Sequence, residues 1–407
     1  MSKMLDDVVD SGGIDVIIQN ESDKPVPRCP HGPALLFEKT GNGEEKGRRF
    51  YACSACRDRK DCSFFQWADE KVSEARMLAR EEQNRSKMPL FSHQEYCSRF
   101  REFVSLPLEQ RRFCVDCQLL ILPREWANHA KHKALSEDIT VQRLKRPSLL
   151  LCPLDNKKSN AQYLFADRSC HFLLDMLLGL GFQKILCVGT PRYCQFYAQD
   201  EFCRYNMFNH HFFDDEEVVT FFQRFLQEEG GAKVVMVTDP PFGGLVKPLA
   251  NSFSQIAVSW KNLNKVSDAS QMPMIWIFPY FFESRILECF PSFSMLDYQV
   301  DYENHPLYKH GKTGRKQSPH GVIVPHVVTV LSLITLVVGA KLAVSTVAAK
   351  NTNLELNDCA RHTPGLLKRI AGKSKTKKKK KNSFLISHTE HYGFEPMMGL
   401  WLLKIAS

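Results

Sequence analysis

The 407-residue sequence is short of several features that would assign its class at once. Met1–Asp15 is acidic and carries no basic region, apolar run or small-residue cleavage site, which excludes a secretory leader and implies a start in the cytosol. The glycine triplet of dinucleotide-binding folds is absent, and so are long internal repeats. No stretch qualifies as a membrane span: the uncharged run Val327–Ala340 ends at Lys341, short of the roughly 20 apolar residues required, and Pro325 and His326 limit its extension backward. Excess positive charge is also missing from most of the chain. Residues 1–318 carry 41 Lys and Arg against 41 Asp and Glu, whereas 319–407 carry 13 against 4, so the net +9 belongs to the tail. A nucleic-acid surface on the first three quarters would have to arise from local clustering of basic side chains.

What remains is an ordinary globular balance, 43% hydrophobic and 24% charged, in a chain long enough for two or three domains. Seven of the 14 cysteines fall between Cys29 and Cys117, several beside histidines. In a reducing compartment that pattern points to metal rather than disulfides. The organisation reads as a flexible lead-in over 1–27, a Cys/His module over 28–70, a helical linker over 71–92 and a second Cys/His module over 93–146. An α/β domain then occupies 147–318, followed by an atypical, disordered basic tail over 319–407. In the α/β domain, strands are expected at Lys184–Val188, Lys233–Val237 and Met274–Phe278, and helices at Ser169–Leu180 and Glu216–Glu229.

The first cluster offers Cys29, His31, Cys53 and Cys62 as four soft donors on two short arms, the set a tetrahedral structural zinc requires. Cys56 stands as an alternative to Cys53 or Cys62. The run Gly47-Arg-Arg-Phe-Tyr-Ala-Cys53 and the closing Cys62-Ser-Phe-Phe-Gln-Trp67 resemble the GRF-type zinc finger, whose members often bind single-stranded nucleic acid. Arg48, Arg49 and Phe50, beside Arg57, Arg59 and Lys60, are candidates for gripping phosphate and stacking a base. The second cluster pairs Cys114 and Cys117 with His129 and His132. Its His pair is tighter than the usual three to five intervening residues, and a helical turn through Trp126–Lys133 is expected to bring both imidazoles to one face. The apolar Leu119–Leu122 suits docking onto another domain.

The chemistry concentrates at Asp239-Pro240-Pro241-Phe242, which follows the strand over Val234–Val237 after a single threonine. Ligands of an open α/β sheet bind at the carboxyl ends of its strands, so this rigid corner faces a crevice. An exocyclic adenine amine is a poor nucleophile; a carboxylate at Asp239 and the carbonyl of Pro240 can accept its two N–H bonds while Phe242 stacks on the ring. Gly189, at the end of the preceding strand in Gly189-Thr-Pro-Arg192, lets backbone approach a bound nucleoside.

Residues 149–318 resemble the N6-adenine and related lysine methyltransferases of the seven-strand, Rossmann-like class. The resemblance implies S-adenosylmethionine as cofactor. It places Gln162, Tyr163, Leu164, Phe165, Gly189, Arg192 and Asp239 around it, Asn206 at the position that usually holds a ribose-binding acid, and Asp214 near the adenine. With both zinc modules included, the chain resembles the zinc-finger CCHC-domain family of large-subunit ribosomal RNA adenine-N6-methyltransferases from about Cys29 to Ser318. That implies two structural zinc ions, an RNA partner, no membrane, and work in nucleolus and cytoplasm on an adenine unstacked into the pocket. The sequence departs from the family after Ser318, where a cysteine-rich CCHC region is expected and only Cys359 remains. Two competing readings follow: a protein lysine methyltransferase, and a catalytically silent RNA-binding protein.

Overall fold

The three apolar runs expected to be strands lie side by side in the computed structural model. It describes residues 13–19, 26–41, 44–55, 62–86, 91–145, 147–152, 163–189, 196, 201–214, 216–241, 245–267, 270–303, 320–325 and 400–404. The first module contains β1 (Ile14–Ile17), β2 (Arg28–Cys29), β3 (Gly32–Pro33), β4 (Leu35–Lys39), β5 (Arg49–Ala52) and β6 (Phe65–Trp67). Strands β1-β4-β5-β6 form an antiparallel sheet, and β2 and β3 a separate hairpin. Helix α1 (Glu74–Ser86) follows and buries no residue. It begins at Glu74 because Ser73 Oγ accepts the Arg76 amide at 3.4 Å, capping the helix there.

The second module opens with α2 (His93–Ser105), held at its start by a reciprocal capping box between Ser92 and Glu95. Strands β7 (Arg112–Cys114), β8 (Leu119–Ile121) and β9 (Ala134–Leu135) make a three-stranded sheet in the order β8-β7-β9, and the short α3 (Val141–Leu144) closes the module. The apolar run does dock as its composition suggests. Leu120 and Leu122 are buried in one cluster with Phe103, Phe113 and Ile139 of the module, and with Leu150 and Phe196 from the α/β domain.

The α/β domain comprises α4 (Asp167–Gly179), β10 (Lys184–Val188), β11 (Phe202–Cys203), β12 (Tyr205–Asn206), β13 (His211–Phe212), α5 (Glu216–Gln227), β14 (Val234–Thr238), α6 (Val246–Asn264), β15 (Met274–Pro279), α7 (Glu283–Cys289), β16 (Phe293–Gln299), β17 (His320–Pro325) and β18 (Leu400–Lys404). Its sheet has seven strands in the order β11-β18-β10-β14-β15-β17-β16. The centre, β10, β14 and β15, is parallel, with Val188 opposite Thr238. β17 runs antiparallel between β15 and β16.

The central strands are apolar between Lys184 at the start of β10 and Thr238 at the end of β14 because both sheet faces are covered. On one face Leu186, Met236, Trp276 and Phe278 pack with Phe222 and Phe225 of α5 and Leu249, Phe253, Ile256 and Trp260 of α6. On the other, Ile185, Val235, Ile275 and Ile277 meet Leu173 and Leu177 of α4. Each such side chain contributes about 1.5–3 kcal/mol by leaving water.

The sheet differs from expectation beyond residue 318. Two segments of the stretch read as a disordered tail, His320–Pro325 and Leu400–Lys404, are strands of this sheet. Both are rich in Val, Ile, Leu or Trp, residues that favour a pleated, buried setting, and each supplies backbone partners to strand edges left open by the rest of the domain. β18 is antiparallel to both β10 and β11, with Leu400 opposite Val188 and Lys404 opposite Lys184. The lysine block Lys373–Lys381 and the run Val327–Ala340 lie outside the described residues. Among the described residues no helix is long and apolar enough to cross a membrane. Deleting residues 400–404 should expose one edge of β10 and lower the thermal midpoint by roughly 5 °C or more, since backbone hydrogen bonds contribute about 1 kcal/mol each. An unchanged midpoint in a calorimetric scan would show that β18 is not part of the sheet.

Candidate active site and metal centres

Gly189 and Asp239 leave adjacent parallel strands side by side, the Asp239 amide donating to Val188 O at 3.2 Å. Gly189 sits at φ +107°, and a Cβ there would lie 2.7 Å from Asp239 O and 3.4 Å from Met207 Cε. Only glycine fits both the dihedral and the space. Asp239 is partly exposed as a residue, but its Oδ1 is fully buried and has no hydrogen-bond partner among the described residues. Burial pushes its pKa up to about 7. The neighbouring Thr238 Oγ1 is likewise buried and unpartnered, and Pro240 is buried behind it.

The segment Tyr163-Leu164-Phe165 is brought to this corner by pairing with the chain after β16. Leu164 O accepts the Glu303 amide at 2.9 Å, the Ala166 amide donates to Asp301 O at 2.8 Å, and Phe165 bridges to Tyr302. The Tyr302 ring meets those of Tyr163 and Phe165 with centroids 5.9 and 5.6 Å away. Burial holds the Tyr302 phenol well above its usual range, and the charge of Asp239 pushes it further in the same direction. Tyr302 is a site residue that the sequence reading missed. Its only sequence signal is an aromatic between two acids in Asp301-Tyr302-Glu303. Gln162, Arg192 and Phe242 lie outside the described residues.

Two residues assigned to the cofactor by resemblance are committed elsewhere. Asn206 has no exposed surface; its Nδ2 donates to His31 O at 2.8 Å and Ser54 Oγ at 3.0 Å, and its Oδ1 accepts the Phe208 amide at 3.0 Å. Its donors are directed at the zinc finger and its acceptor at the following turn, so neither is left for a ribose. Asp214, whose side chain is 4% exposed, forms a buried pair with the Arg204 guanidinium, which also donates to Phe91 O at 3.1 Å just before α2. Asp214 therefore neutralises the arginine that pins the second module, and its carboxylate is not open to an adenine.

The first finger is held by further contacts of the same kind. Asn209 Nδ2 donates to Pro33 O at 2.6 Å and His31 O at 3.2 Å. Burial, aided by the charge of Arg28, lowers the His211 pKa to about 4, so a neutral imidazole can accept from Arg28 Nη2 at 3.4 Å. Gly32 abuts the His211 ring so closely that a Cβ would fall 2.3 Å from its Cδ2. Lys247, at the start of α6, pairs with Asp15 of β1 at 2.7 Å.

Both metal-ligand sets assemble. The donor atoms of Cys29, His31, Cys53 and Cys62 lie within 4.8 Å of one another, as do those of Cys114, Cys117, His129 and His132. Cys56 lies outside the described residues. In the first set, Cys53 and Cys62 drive the Cys29 thiol far above its usual range; burial opposes a charged His31, but the same two cysteines raise its pKa to about 9. Such crowding of thiols suits a central cation, and the donor chemistry fits zinc. In the second set the expected helical turn is instead a run of tight three-residue turns, with the His129 amide donating to Trp126 O at 3.1 Å and the His132 amide to His129 O at 2.9 Å. Side chains three apart eclipse in that geometry. It brings the two Nδ1 atoms to 3.3 Å, so the short His spacing is accommodated by a tighter turn.

Of the basic residues proposed to grip nucleic acid, Arg48 lies 3.7 Å over the Trp67 ring and Arg49 pairs with Glu38 at 2.8 Å. Phe50 does not stack outward. It is buried between Phe37 and Phe65, centroids 5.4 and 5.1 Å away, on the face of the sheet opposite Leu36 and Tyr51, where aromatic rings of β4 and β6 cover it. Arg57, Arg59 and Lys60 lie outside the described residues.

The comparisons with known proteins fit this anatomy. Residues 27–71 match the GRF zinc finger family, and residues 191–307 match the family described as probable N6-adenine methyltransferase. The chain is 57% identical over 334 residues to the rRNA N(6)-adenosine-methyltransferase ZCCHC4 of Xenopus tropicalis, covering 75% of this chain and 68% of that protein. The chain belongs to this methyltransferase family. Its human member is 54% identical over 337 residues, covering 76% of this chain and 66% of that protein, and its Mus musculus member is 54% identical over 336. The two family models thus fall on the first zinc module and on the α/β domain. Gly189→Ala should cost about 1–3 kcal/mol through a disfavoured dihedral and a clash with the Asp239 backbone. A thermal midpoint equal to wild type would contradict the packing at this corner.

Proposed function

We propose that this chain transfers a methyl group from S-adenosylmethionine to N6 of an adenosine in large-subunit ribosomal RNA. The observation that carries the reading is the buried Asp239 carboxyl, unpartnered at Oδ1, beside the glycine corner of β10. It is supported by relatives named for rRNA N(6)-adenosine methylation. The sheet is read as a Rossmann-like methyltransferase fold, on the strength of its parallel centre and the antiparallel β17 inserted next to β16.

The crevice fits the cofactor: Gly189 allows close backbone approach, and the buried Asp239 Oδ1 lacks a partner among the described residues. When bound, S-adenosylmethionine supplies an electrophilic methyl group on a sulfonium. Tyr163, Leu164 and Phe165 are assigned to one wall of its site, with Gln162 and Arg192 beside them. Asp239 Oδ1 and the Pro240 carbonyl accept the N–H bonds of the adenine amine. This holds the nitrogen lone pair out of the ring plane and in line for attack. Pro241 stiffens the corner and Phe242 stacks on the base. Water exclusion by the buried Pro240 strengthens each of these contacts. The proton released after transfer passes to Asp239 or to solvent. We assign a structural zinc to each Cys/His set, RNA as the partner, and nucleolus and cytoplasm as the locations, the last resting on the lysine block Lys373–Lys381.

The test is incubation with radiolabelled S-adenosylmethionine and deproteinised large-subunit rRNA, followed by digestion to nucleosides. Label should appear in N6-methyladenosine and fall at least about 100-fold in Asp239→Ala, the usual scale for losing a group that orients the transition state. Because the ionised Asp239 is the stronger acceptor for an N–H and the form able to take the released proton, kcat/KM should drop as pH falls through about 7. Label on protein lysine, or cofactor binding with no transfer, would overturn the proposal in favour of one of the two other readings.

A further inference from the structure

The contacts of Asn206 have a neighbour that matters. Asn206 grips the finger through His31 O and Ser54 Oγ, the first belonging to a zinc ligand and the second adjoining the ligand Cys53. The next residue, Met207, is fully buried, and its Cε lies 3.4 Å from where a Cβ of Gly189 would stand. One dipeptide therefore touches the zinc-ligand loop with its first side chain and the floor of the crevice with its second. Asn209 grips the same His31 carbonyl, which fixes the turn between β12 and β13 on both sides of Met207.

Packed interiors do not deform continuously, and a thioether wedged under a glycine that has no side chain to yield transmits any shift of its own backbone. The zinc-ligand loop takes up one conformation when its four donors hold a cation and others when they repel. A loop that changes shape moves His31 O, the acceptor of both amides. Loss of those two hydrogen bonds would leave one buried Asn206 N–H without its acceptor and release Asn209 from the same carbonyl, so the hairpin is drawn along with the loop.

We infer that Asn206 and Met207 are positioning residues that couple metal occupancy of the first finger to binding in the cofactor crevice. The inference rests on the crevice being the S-adenosylmethionine site proposed above. Coupling between two sites is reciprocal, so ligand in the crevice must also tighten the finger's hold on its metal.

The experiment uses the full zinc-loaded chain and a chromogenic chelator. Zinc release is timed with and without saturating S-adenosylhomocysteine, whose affinity is measured in parallel by calorimetry. The expected result is that S-adenosylhomocysteine slows release of one zinc by about fivefold or more, the lower end of typical allosteric coupling. In Asn206→Ala/Asn209→Ala the zinc content should be unchanged and the slowing lost. Asn209→Asp, isosteric but without the amide donors, should reduce it. Release from wild type that is indifferent to bound S-adenosylhomocysteine overturns the inference without needing any variant, and so does a double variant that responds like wild type. Failure of S-adenosylhomocysteine to bind wild type at all overturns both this inference and the cofactor assignment beneath it.

Discussion

A buried polar side chain must find partners, and the whole arrangement turns on where those of Arg204 and Asn206 find theirs. They are two residues apart on one short stretch after β11. Arg204 reaches Phe91 O at the entry to the second zinc module, and Asn206 reaches His31 O in the first. Asp214 balances the arginine's charge in a setting where an unpaired guanidinium would be costly. The strand end that in a bare methyltransferase sheet would be free to meet a ligand is here the point at which two metal-organised modules are fastened to the sheet.

That arrangement explains the division of labour around the crevice. With the outer edge given over to docking, the polar chemistry falls to the inner corner where β10 and β14 end. There Asp239 is the only carboxyl among the described residues raised to near neutrality by burial, and Gly189 leaves the space beside it. A carboxyl poised near pH 7, with its buried Oδ1 unpartnered among the described residues, is suited to an incoming group with N–H bonds to donate. Tyr302 and the Tyr163–Phe165 segment close the side of this corner with aromatic surface.

Much of this was legible from residue order. The strands of the central sheet could be read because their apolar runs are continuous and bounded by breaks, and the zinc ligands because soft donors at such spacings are rare in a reduced protein. Asp239 was marked by its place after a strand. The misreadings have a common physical cause: a residue's partner can lie anywhere in the chain. Nothing near Asn206 reveals that residues 31 and 54 satisfy it, nor does anything near Asp214 disclose the contact at residue 91. Phe50 sits in a run of basic residues that reads as a surface, yet the rings of Phe37 and Phe65 on neighbouring strands cover it. β18 was missed because its pairing partner β10 lies far back in the chain, with most of the α/β domain and the lysine block Lys373–Lys381 in between.

The two Cys/His modules and the sheet form one cooperative body fastened at Arg204 and Asn206. Differential scanning calorimetry of the zinc-loaded full chain tests it most directly. Buried, mutually dependent contacts predict a single transition in which fingers and sheet unfold together. A separate, lower-temperature transition assigned to either module would contradict the account.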